Sequence, residues 1–249
     1  TGTSQSDERI MILTATSGDT GKAALAGFAD VPGTGITVFY PAGKVSEVQE
    51  LQMTTQIGTN VEVCAVYGNF DDTQSAVKRI FADETLRRSL SEKHHVVLSS
   101  ANSINVGRLV PQVVYYFVAY ARLLERHAIT AGDPVDFCVP TGNFGDVLAG
   151  YYAKLLGLPV NRLIVASDRN NVLSDFLATG TYDRRRPFFQ TISPSMDIII
   201  SSNLERMLYY VSGGDTQLIR TLMDDLQTTG SYTVPAELLA KIQNVFSCG

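Results

Sequence analysis

ATSGDTGKAAL, spanning Ala15 to Leu25, follows directly on the apolar run RIMILTA and opens an amphipathic pattern of helical period. A strand that hands a small, glycine-bearing turn to a helix leaves unpaired backbone N–H groups at the positive end of the helix dipole. The stretch therefore predicts an anion cradle. Ser17 and Thr20 add hydroxyl donors, while capping of the helix by Ser17 or Asp19 is the plainer alternative. A nucleoside-triphosphate loop does not fit, because Thr16 stands five residues before Gly21 where glycine is required. Ala23 then follows Lys22 in place of a magnesium-binding hydroxyl.

Working outward, apolar runs of strand length recur at GITVFY, NVEVCAVY, HVVLSS, VDFCVP and NRLIVAS. Helical patterns lie between them at Lys22–Ala29, Ser46–Ile57, Asp71–Ser91, Gly107–His127, Asp146–Leu156 and Val172–Ala178. Such alternation predicts an α/β chain with parallel sheets flanked by helices. After Ser193 the alternation fades, and the tail reads as helices at Asn203–Val211, Thr216–Gln227 and Pro235–Phe246. Composition marks no sharp boundary, but the small polar stretch Ser99–Arg108 is the best crossover, giving lobes 1–103 and 104–249.

The 249 residues, 45% apolar and 18% charged, suffice for a substantial core. A formal charge of −5 with no basic stripe argues against nucleic acid as the main partner. No apolar run approaches the roughly 20 residues needed to cross a bilayer. Cys64, Cys138 and Cys248 are odd in number and widely spaced, which suits a reduced cytoplasmic chain without disulfides or a metal site. Cys64 and Cys138 are expected as core thiols, and Arg184–Arg186 as a solvated turn. His94 and His95 have no acid or cysteine placed to work with them. The opening TGTSQSDERI carries no leader pattern, and both ends read as cut from something longer.

Two further loops share the logic of the first. VDFCVP leads into TGNFGDVLAG, where Gly142, Asn143, Phe144 and Gly145 again stand between a strand and a helix and predict an anion nest. In SANSINVGRL, Ser103 and Arg108 bracket a helix entry, and arginine grips a phosphate or carboxylate bidentately. An ordinary solvent-facing helix start is the alternative there.

In order and spacing, ILTATSGDTGKAAL, YPAGKVSEVQ, SSANSINVGRL, PTGNFGDVLAG and SPSMDI resemble the threonine synthase family over nearly the whole chain. The resemblance implies a fold type II pyridoxal-phosphate enzyme of two α/β lobes with the cofactor in the cleft between them. It further implies conversion of O-phospho-L-homoserine and water to L-threonine and phosphate. By the same resemblance Gly142, Asn143, Phe144 and Gly145 cradle the cofactor phosphate, and Asp19 flanks the ring. Ser17 and Thr20 meet the substrate carboxylate, and Ser103, Arg108, Thr20, Asn143 and Lys44 are candidates for the substrate phosphate. Lys44 reads equally as a solvated loop lysine. Asp19, where many relatives in the wider group carry asparagine, is expected to face a donor.

One departure matters most. The family attaches its cofactor through a lysine in a Phe-Lys-Asp motif upstream of the first loop, and none of Lys22, Lys44, Lys78, Lys93, Lys154 or Lys241 stands in such a motif. The family's downstream Thr-Ala-His-Pro run is also missing. The chain is therefore expected to be a middle piece of such an enzyme and to be inactive by itself. The alternatives are a silent homologue that binds a phosphorylated metabolite, or a dehydratase or sulfhydrylase of the same cofactor group. The oligomeric state is left open.

Overall fold

The computed structural model describes residues 8–248, so the reading of the extreme ends as cut, which falls partly on residues 1–7 and Gly249, lies partly outside the described residues. Two compact units are present, the first ending at Asn105 and the second beginning at Val106.

In the first unit, four strands alternate with helices: β1 Arg9–Ala15, α1 Asp19–Phe28, β2 Thr34–Pro41, α2 Glu47–Thr54, β3 Val61–Val66, α3 Phe70–Ala82, α4 Glu84–His94 and β4 Val96–Ser99. All pairings are parallel, in the order β3-β2-β1-β4. Because successive side chains of a strand face opposite ways, β1 feeds two cores. Ile12 packs with Ala24, Leu25, Val38 and Met53 on the α1 and α2 face, while Leu13 and Ala15 meet Val77 of α3 on the other.

The expected single helix over Asp71–Ser91 is two helices. Asp83 closes α3, its N–H donating to the carbonyl of Arg79 at 3.1 Å, and its side chain caps α4 by accepting Leu86 N–H at 2.9 Å. Its extended backbone, φ −77° and ψ 95°, breaks the helical run.

The second unit contains α5 Val106–Leu109, a 3-10 turn Val110–Gln112, α6 Val113–Glu125, β5 Val135–Pro140, α7 Gly145–Leu155, β6 Val160–Ala166 and α8 Val172–Thr179. After these come β7 Thr181–Asp183, a 3-10 turn Pro194–Met196, α9 Leu204–Val211, α10 Thr216–Thr228, β8 Ser231–Thr233, α11 Ala236–Gln243 and β9 Phe246–Cys248. The helix expected over Gly107–His127 is interrupted where Pro111, which has no N–H to donate, enters the 3-10 turn. The final helical pattern ends earlier than expected, and Phe246–Cys248 instead pairs in parallel with Leu163–Val165. The sheet order is β5-β6-β9, with β7 and β8 forming a separate antiparallel pair.

Two expectations need correction. Cys138 is exposed and Cys64 only partly buried; Cys138 shares one face of β5 with the exposed Asp136 and Pro140, while the neighbouring Val139 turns inward. Arg184–Arg186 is not a merely solvated run. Arg185 makes a two-pronged contact with Asp183, at 2.9 Å through both Nε and Nη2, and Arg186 bonds Asp175 at 2.9 Å.

Candidate functional site

The strand order of the first unit creates a topological switch point. The chain runs from β1 to β2 and β3, then returns to place β4 on the opposite side of β1. Loops leaving the carboxyl ends of β1 and β4 consequently diverge, which in open parallel sheets opens a ligand crevice. The loop after β1 is the Ser17–Gly21 turn, and the loop after β4 carries Ser103.

Thr16 builds the first turn. Its buried Oγ1 accepts both Gly18 N–H and Gly21 N–H at 2.9 Å. Gly18 occupies the N-cap position with φ 145°, and no side chain caps α1, so neither Ser17 nor Asp19 acts as the capping residue. A Cβ on Gly21 would lie 2.7 Å from Met53 Sδ and 2.9 Å from Val38 Cγ1, which keeps this helix start close against the sheet. Asp19 Oδ1 accepts Gln49 Nε2 at 2.9 Å.

Asn102, unremarked in the sequence, ties the Ser103 loop to β1. Its Oδ1 accepts Ala15 N–H at 2.9 Å, and its Nδ2 donates to the Ala15 carbonyl. Ser100 and Asn105 brace the same loop, through Asn102 N–H to Ser100 Oγ at 3.1 Å and Asn105 Nδ2 to the Ser100 carbonyl at 2.8 Å. Lys44 is exposed in the turn between β2 and α2, where its N–H closes onto the Pro41 carbonyl at 3.1 Å.

Within the second unit, Gly142–Gly145 join β5 to α7. Phe144 adopts the left-handed conformation at φ 61°, a costly state for a bulky side chain. It is held there by burial: only 1% of its surface is exposed, and its ring lies 5.4 Å from that of Phe246. The N–H groups of Gly142 through Val147 meet no acceptor among the described residues, and no side chain caps α7.

A segment downstream backs this turn. The Asn143 carbonyl accepts both Asn203 N–H (3.1 Å) and Asn203 Nδ2 (3.0 Å), while Ser202 Oγ donates to Asn143 Oδ1 at 3.3 Å. A Cβ on Gly142 would come within 3.0 Å of Ile198 Cγ1. Next to Ser202, Ser201 has a buried hydroxyl with no hydrogen-bond partner among the described residues. Tyr182 fixes that stretch, donating its hydroxyl to the Ile199 carbonyl at 2.7 Å and accepting Ser201 N–H at 2.9 Å. The sequence signalled this backing only through SPSMDI, whose Ile198 meets the turn.

Asp146 lies in the first turn of α7, where burial pushes its carboxyl above the ordinary range, against a smaller opposing effect of its hydrogen bond with Tyr116. Arg108 lies on α5, whose Leu109 shares a core with Phe144 and Val147. A run of free amides at the positive end of an eleven-residue helix, an orphan hydroxyl nearby and glycines where Cβ atoms would intrude together fit a phosphate monoester. Among the described residues, no three histidine, cysteine or acidic side chains gather to hold a metal, and no helix is long and apolar enough to cross a membrane.

Known proteins are similar to this chain in sequence and fold. Human threonine synthase-like 1 is 45% identical over 242 residues, which is 95% of this chain and 33% of that protein. Threonine synthase from Pseudomonas aeruginosa is 41% identical over 239 residues, covering 96% of this chain and 48% of its own length. The crystal structure of threonine synthase from Brucella melitensis, solved with pyridoxal phosphate bound, superimposes with a TM-score of 0.84 at 45% identity. It covers 97% of this chain, and the chain covers 50% of it. The chain thus spans between a third and a half of the length of these relatives. The family model described as pyridoxal-phosphate dependent enzyme matches residues 3–232, and the chain belongs to that family, with its fold type II architecture and its cofactor.

Proposed function

We propose that this chain carries the phosphate-binding and substrate-binding turns of a threonine synthase acting on O-phospho-L-homoserine. The Gly142–Gly145 turn is the observation that carries this reading. Its amides, lacking acceptors among the described residues, suit the phosphate of pyridoxal phosphate. When bound, the cofactor supplies an electron sink for carbanionic charge on the substrate.

The chain's own residues bind and orient. Ser17 and Thr20 are assigned to the substrate carboxylate, and Asp19, already held by a neutral amide, to the edge of the cofactor ring. By the family resemblance, Ser103, Thr20, Lys44, Arg108 and Asn143 are assigned to the substrate phosphate. Donors placed there strengthen their hold as charge accumulates on the departing phosphate, which lowers the barrier to its loss. The three free thiols suit a reducing compartment, and we assign the chain to the cytoplasm.

A second reading is a homologue that binds without turnover, and the lysines of this chain do not separate it from the first. None stands in the Phe-Lys-Asp motif, Lys22 bonds Gln56, and Lys154 donates to the carbonyls of Val160 and Asn161 at 2.6 and 3.0 Å. Turnover is accordingly not expected of this chain by itself. Pyridoxal phosphate titrated into the isotope-labelled chain should shift the amide resonances of Gly142–Val147, with inorganic phosphate competing. Shifts confined to other residues would remove the assignment. Release of phosphate from O-phospho-L-homoserine by the chain alone would overturn the expectation of inactivity.

A further inference from the structure

We propose that Gln49 is a positioning residue that locks the Gly18–Gly21 turn to the loop before α2 through the Asp19 carboxylate. The inference rests on the reading that this turn meets the substrate, and it names what holds the turn in shape.

The Gln49 side chain uses both halves of its amide. Its Oε1 accepts Ser46 N–H at 3.2 Å and Ser46 Oγ at 3.0 Å, while Ser46 Oγ accepts Gln49 N–H at 3.2 Å, completing the capping box of α2. Its Nε2 donates to Asp19 Oδ1 at 2.9 Å. The amide also lies over Gly18, where an added Cβ would stand 2.3 Å from Gln49 Cδ.

A capping box is served by glutamate as well as by glutamine, so the cap alone does not call for an amide. The donor half does. A carboxylate at position 49 would keep the bond to Ser46 but set two like charges against each other at Asp19. Several charged groups on α1, α2 and the turn between β2 and α2 have described placements of their own. Lys22 bonds Gln56, Glu50 accepts the Tyr40 hydroxyl at 2.8 Å, Glu47 lies in the exposed first turn of α2, and Lys44 is exposed in the preceding turn. Gln49 therefore couples Ser46 at the start of α2 to the Gly18–Gly21 turn.

The test is amide hydrogen exchange on the full chain at neutral pH, read at Gly18 and Gly21, whose N–H groups bond Thr16 Oγ1. Gln49→Glu, which keeps volume and cap, should speed their exchange about three- to tenfold, with Leu148 of α7 unchanged as the internal reference. Adding Asp19→Asn should restore slow exchange, because the introduced amide donates to the introduced carboxylate. Gln49→Ala loses cap and contact together, and Asp19→Asn should not rescue it. Exchange in Gln49→Glu at the wild-type rate, or failure of Asp19→Asn to slow it again, would overturn the proposal and leave Gln49 a packing residue. Neither ligand nor turnover enters the measurement, so its failure is distinguishable from failure of the functional reading.

Discussion

Asn102 extends the β-ladder of Ala15 beyond the point where β4 stops. The last backbone pair between β1 and β4 is Ile12 with Ser99, and three residues further along β1 the side-chain amide of Asn102 both accepts from and donates to the Ala15 backbone. A side chain here stands in for a strand, and the loop bearing Ser103 is set by it.

Asn102→Ala should therefore cost about 3 kcal/mol, since a buried N–H and a buried carbonyl both lose their partner. Urea unfolding would read the loss. Asn102→Asp keeps the acceptor but faces a second oxygen to the Ala15 carbonyl, so its protonated form is favoured in the folded chain. Its folded-state pKa is then raised, and stability present in acid should be lost as pH rises through the carboxylate range.

Thr16→Val keeps shape and removes the oxygen that holds two amides. Exchange at Gly18 and Gly21 should quicken, and stability should fall by about 2 kcal/mol. Thr16→Ser, which keeps the hydroxyl, should retain most of the protection.

Phe144→Ala should destabilise the second unit by about 3–5 kcal/mol, because it empties a buried aromatic site while leaving a non-glycine residue at positive φ. Phe144→Leu should lose less. Both should weaken pyridoxal phosphate binding, followed by cofactor fluorescence, if the ring is what presents the amides.

Gly150→Ala should be costly although alanine favours helices. The new Cβ would lie 2.6 Å from Tyr116 Cε1 and 2.8 Å from Leu163 Cδ2. A loss of about 1–3 kcal/mol in thermal or urea unfolding is expected.

Asp183 offers a pH test. Its hydrogen bonds from Arg185 hold the carboxyl down at about 2. A depressed folded-state value means that its contribution is present above the ordinary carboxylate range, near 4, and disappears as pH falls toward 2. In Arg185→Leu, which removes the guanidinium but keeps the backbone N–H on Asp183 Oδ1, the carboxyl should titrate closer to the ordinary range by carbon NMR, and the acid limb between about pH 4 and 2 should become shallower.

Much of this was legible in the residues. Six apolar runs became six of the seven strands in the two parallel sheets, since parallel strands covered by helices read as largely apolar segments. The short pieces escaped. Thr181–Asp183 and Ser231–Thr233 are three residues each, and Phe246–Cys248 becomes a strand only by pairing with β6, a contact invisible to local periodicity. The same limit applies to the site. Glycines and hydroxyls marked the two turns, whereas Asn102, Gln49 and Asn203 act across tens of residues through amides that look locally like loop or helix filler. Which face of β5 is covered, and hence that Cys138 is exposed beside Asp136 and Pro140, is likewise settled by packing rather than by the apolar run itself.

Asp83, shared between α3 and α4, leaves no spacer in which a change of length could be absorbed. An insertion there would strip one helix of its stop or the other of its start, and melting at this joint would spread both ways. Natural variation in loop length should therefore collect elsewhere in the first unit, leaving this junction at constant length among homologues.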